Sequence, residues 1–88
     1  MSYQEPIPEV QEALIRIEAV KDALDALALA VRKLATVPRE TSTDAMCRLS
    51  AQRDVAGHEV EQQSFKARLA SVYATNACVA RWERRRTR

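Results

Sequence analysis

Eighty-eight residues make one domain at most, of a size at which a single core is only marginally sufficient and a second chain often completes it. Apolar residues are 47% of the chain but fifteen of them are Ala, and with one Gly and three Pro the sequence lacks both the turns of a β fold and any glycine-rich phosphate loop. One histidine and two cysteines cannot assemble a four-ligand thiolate and imidazole metal site, and a net charge of +2 argues against a broad DNA-binding face.

That charge is unevenly placed. Residues 1–44 carry eight acids against five bases, and residues 45–88 carry four acids against nine bases. This polarity favours antiparallel packing or head-to-tail contact between copies. The opening MSYQEPIPEV has neither a basic leader nor an apolar core, so no signal peptide is expected. The longest strictly apolar run, Ala26 to Val31, is far short of the roughly 20 residues of a membrane span. The expectation is a cytoplasmic protein with no membrane partner, its thiols Cys47 and Cys78 reduced.

The first helix is expected over about residues 7–36. Ile7, Val10, Leu14, Ile17, Val20, Leu24, Leu27, Val31 and Leu34 recur every three or four residues, the seam of a helix packed lengthwise on another. Pro8 suits the first turn, Glu9 and Glu12 the positive end of the dipole, and Arg32 with Lys33 the negative end. Glu12 and Arg16 form a correctly oriented i, i+4 pair. A shallower ribbon of Ile15, Ala19, Ala23, Ala26, Leu29 and Ala30 flanks the seam, and between Ala23 and Val31 only Asp25 is polar. One neighbouring helix cannot cover both ribbons.

Pro38 breaks this pattern and predicts a loop over residues 37–42, with Thr41, Ser42 or Thr43 as caps for the next helix. That second helix is expected over about 43–85, with a thin stripe at Met46, Leu49, Ala56 and Val60, a polar middle, and a firm seam at Phe65, Leu69, Val72, Val79 and Trp82. Asn76 lies on the line of that seam. Gly57 allows a break that would give three helices; one long helix is favoured, since no good cap comes after it and an isolated glycine costs only about 1 kcal/mol.

The expected fold is therefore all-α, a long antiparallel helical hairpin. Closing it near residue 39 pairs Ile7, Val10 and Leu14 with Val72, Leu69 and Phe65, and leaves Val20 to Leu27 opposite the polar middle, with Val79 and Trp82 overhanging. A homodimer forming a four-helix bundle would supply the missing cover. The interface residues expected on this reading are Leu14, Ile17, Leu24, Leu27, Leu29, Val31, Leu34, Phe65, Leu69, Val72 and Trp82.

No catalytic residue, metal site or cofactor site is expected. His58 is the sole conventional general base, and Cys47 lies about 16 Å from it along a straight helix. The tail over residues 81–88, RWERRRTR, sets Arg81, Arg84, Arg85, Arg86 and Arg88 around Trp82. Arginine forks pair with phosphates or carboxylates, so this tail could meet nucleic acid or an acidic partner, or simply complement the helix dipole and keep the chain soluble. The functional expectation is a small non-enzymatic protein-protein interaction module, an adaptor, chaperone or inhibitor of a larger protein. The rival is a nucleic-acid-binding regulator with a helical dimerisation scaffold.

Overall fold

The computed structural model describes residues 5–87 as two helices, α1 over Pro8–Ala35 and α2 over Thr43–Arg86, with no strand among them. Pro8 opens α1 with its fixed φ, and the Ile7 carbonyl accepts from Val10 and Gln11 at 3.0 and 3.2 Å. Glu12 holds Arg16 at 2.8 Å on the exposed face. At the other end Thr36 closes the helix: its backbone N–H and its hydroxyl both donate to the Arg32 carbonyl.

The link between the helices is short and polar. Thr41 N–H donates to the Pro38 carbonyl, and Ser42 then caps α2, its Oγ accepting from the Ala45 N–H at 3.2 Å. Asp44 sits in the first turn and Arg84, Arg85 and Arg86 in the last, each at the favourable end of the dipole. α2 runs straight through Gly57, so the three-helix alternative is not the one adopted. The reason is local. No turn-forming residue or second cap accompanies that glycine, and its φ is not positive.

α1 packs along α2, and the result is a rod of 72 × 23 × 13 Å. Its radius of gyration is 20.4 Å, whereas a compact domain of this length would have about 12 Å. With 44 residues against 28, α2 is longer by about 24 Å at 1.5 Å per residue, and its C-terminal end projects beyond the start of α1.

Where the two helices touch, the side chains are small. The buried residues are Ala13, Ala23, Ala67, Ala70 and Ala74, and Val10 packs against the cluster of Ala13, Ala70 and Ala74. This corrects the expected pairing in two ways. Ala13 meets Ala70 and Ala74, at least one turn further along α2 than a hairpin closing at residue 39 would place it. And the face of α2 turned to α1 is the alanine face. Phe65 and Val72 each lie two residues from a buried alanine, Ala67 and Ala74, hence about 200° round the helix. Val10 and Leu14 therefore do not meet Val72 and Phe65, while Leu69, about 100° round from Ala70, borders a groove with Glu9, Glu12 and Arg16 of α1. Alanine faces win because they let the backbones approach closely, which bulky seams prevent.

Candidate functional site

What the hairpin hides is small, and what it displays is large. Among the described residues fourteen large apolar side chains are exposed, and no large side chain is fully buried. Most of them fall on two lines along α1 and one along α2.

On α1 the predicted seam splits. Val20, Leu27 and Leu34 turn partly toward α2, while Leu14, Ile17, Leu24 and Val31 stand between 40% and 57% exposed. Ile17, Leu24 and Val31 are seven residues apart, so they align along one flank of the helix. Ile15 and Leu29, fourteen residues apart, share a second line and are more than half exposed. In the middle of the rod Ala26 borders a shallow groove with Ala51, Gln52, Val55, Ala56 and Glu59, where Val55 is the one large apolar side chain that α2 offers.

On α2 the stripe is cleaner. Phe65, Val72 and Val79 are seven apart, and Leu69 and Asn76 each follow by four, which is an a/d heptad line on the face opposite the buried alanines. Phe65, Leu69 and Val72 with Arg68 form a shallow apolar hollow that no α1 residue enters. Continued toward the N-terminus the same line passes Gln62, His58 and Val55. Toward the C-terminus it reaches Glu83 and Arg86, with Trp82 beside it and 55% exposed. Val55, Val79 and Tyr73 were not in the predicted interface. The heptad step from Val72 to Val79 was the signal that could have included Val79.

The charged groups are solvated. His58 Nδ1 lies 3.6 Å from the Glu61 carboxylate, both side chains 78% exposed, and Cys47 and Cys78 are free and exposed. No group of three or more metal-ligating side chains occurs among the described residues. No helix of the described residues is long and apolar enough to cross a membrane. In the tail, the Arg86 guanidinium stacks over the Trp82 ring at 5.2 Å, Arg81 is half-buried, and Arg84 and Arg85 are exposed on the projecting end of α2. Arg88 lies outside the described residues. Comparison of the chain with protein-family models, curated proteins and solved structures finds no match in any of the three.

Proposed function

We propose that this protein is a non-enzymatic helical interaction module that works through the apolar faces of its two helices, as a homodimer of hairpins assembling into a four-helix bundle or by docking on a larger protein. One observation carries the reading: the intramolecular core is alanine while leucine, isoleucine, phenylalanine and valine line the outside. Each bulky side chain taken from water contributes about 1.5 to 3 kcal/mol, several-fold more than an alanine methyl, so the larger part of the available driving force is still unspent in the single chain.

Surface area supports the same reading. The chain exposes 7235 Å². A compact monomer of this mass would expose roughly 5,200 Å². The excess, roughly 2,000 Å², is more than the approximately 800 Å² per partner that a standard interface covers.

The test is a pair of substitutions, Leu24→Asp on α1 and Leu69→Asp on α2, followed by light-scattering mass and thermal melting. At least one should lower the mass or the melting temperature. If neither does, the apolar faces are idle and the reading fails.

A second reading gives Arg81, Arg84, Arg85, Arg86 and Arg88 to nucleic acid, with the bundle as dimerisation scaffold. It is supported by the projection of the arginine-bearing end of α2 beyond α1, which leaves that end open on its sides. Retention of DNA or RNA that falls steeply with salt and vanishes on deleting residues 83–88 would establish it. Indifference to both at low salt would remove it.

A further inference from the structure

We propose that the outward seam of α2 is the face on which a second copy of this chain packs, antiparallel and centred between Leu69 and Val72. This rests on the interaction reading above and goes beyond it by naming the occupant, the face and the direction.

The seam is built to receive a helix. Its spacing of three and four residues keeps Phe65, Leu69, Val72 and Val79 on one line for several turns, which a single partner helix of the same pitch can follow. α1 cannot be that helix, because it occupies the alanine face on the opposite side.

Charge selects the direction. Along the seam the stretch 54–61 carries Asp54 and Glu61 with no lysine or arginine, while of the four arginines in 81–86 only Arg86 lies on the line, with Glu83; Arg81, Arg84 and Arg85 lie a quarter-turn or more away from it. In an antiparallel pair centred at residues 70 to 71, residue k lies beside a residue near 141 − k of the other copy. Leu69 then packs on Val72 of the other copy, Phe65 on Asn76, and Gln62 on Val79. His58 comes beside Glu83, and Val55 beside Arg86, which brings Asp54 next to that guanidinium. A parallel, in-register pair does the opposite. It places Arg86 beside its own twin and Glu83 against Glu83, with Asp54 beside Glu59. Asn76 would gain one hydrogen-bonded partner in the parallel arrangement, itself. That single bond is set against the like-charged pairs Arg86 with Arg86 and Glu83 with Glu83, so the charges on the seam favour the antiparallel orientation.

The experiment has two arms. The first measures mass by sedimentation equilibrium for the wild type, Val72→Glu and Leu24→Glu, with helicity followed by circular dichroism. Val72 faces away from α1, so the hairpin contacts survive its substitution; the expected result is a dimeric wild type and a loss of dimer affinity of at least a hundredfold in V72E. The second arm uses full-length protein with Cys47→Ser, Cys78→Ser and Arg84→Cys, spin-labelled at position 84. Residue 84 of one copy then lies opposite residue 57 of the other, so the two labels stand about 40 Å apart at 1.5 Å per residue. A separation below about 20 Å would mean parallel chains and overturn the proposal. A dimer that persists in V72E but is lost in L24E would also overturn it while leaving the interaction reading intact, because assembly would then run through α1. A folded, monomeric wild type overturns the assignment to a second copy and leaves another protein as the remaining occupant of the same faces.

Discussion

Two single positions, the cap of α2 and a glycine within it, show how local chemistry was settled by the chain around it. Three residues, Thr41, Ser42 and Thr43, offered an oxygen at the helix start, and Ser42 is the one whose Oγ reaches the Ala45 N–H at 3.2 Å. Replacing it leaves a first-turn donor without its side-chain acceptor, so Ser42→Ala should destabilise the protein by about 1 kcal/mol, with Thr41→Ala near neutral. Equal losses in chemical denaturation would show the cap to be shared. Gly57 points the other way. It sits mid-helix, and a Cβ built there would find no atom within 4 Å. Alanine removes backbone freedom from the unfolded chain and clashes with nothing, so Gly57→Ala should raise stability by about 0.5 to 1 kcal/mol. A lowered midpoint in urea would mean that a partner backbone approaches this spot closely in the assembled protein.

At the scale of the helices, the decisive feature is that neighbouring residues on α2 serve opposite masters. Ala70 is buried against Ala13, whereas Leu69, one residue earlier, is 44% exposed. Enlarging the first should push the helices apart: Ala70→Leu is expected to cost about 1 to 3 kcal/mol in hairpin stability. Shrinking the second, Leu69→Ala, removes a nearly half-exposed side chain that only flanks α1 beside Glu12 and Arg16, so it should weaken assembly more than it lowers the helicity of the chain. Helix content that falls further in L69A than in A70L would reverse the assignment of the two faces. The existence and direction of both helices were legible in the sequence because period, proline and dipole charges agreed at each end. The facing was not. Alanine reads equally as a helix former and as a packing residue, and the heptad line through Phe65, Leu69 and Val72 states that a face is apolar without stating which helix covers it. Hence the sequence pattern located the stripes and mispaired them.

For the molecule as a whole, the geometry sets a limit on how stable one copy can be. A rod with a radius of gyration of 20.4 Å and, among the described residues, five buried alanines has a single layer of helix contact, and every residue fixed in it costs about 1 to 2 kcal/mol of backbone entropy. Burial within one copy is therefore small beside the apolar surface that is still wet, and covering that surface would add stabilisation. If a second copy covers that surface, folding and association are one equilibrium, and the folded form is favoured by mass action. Each tenfold rise in protein concentration then adds about 1.4 kcal/mol per dimer, which for a pair of chains this long moves the melting temperature upward by about 3 to 5 °C. The measurement is thermal unfolding by circular dichroism over a thousandfold range of concentration. A melting temperature that stays level across that range would mean that one chain holds its own fold, since a unimolecular transition has no concentration term. It would also mean that the exposed leucines and valines stabilise nothing the protein makes by itself.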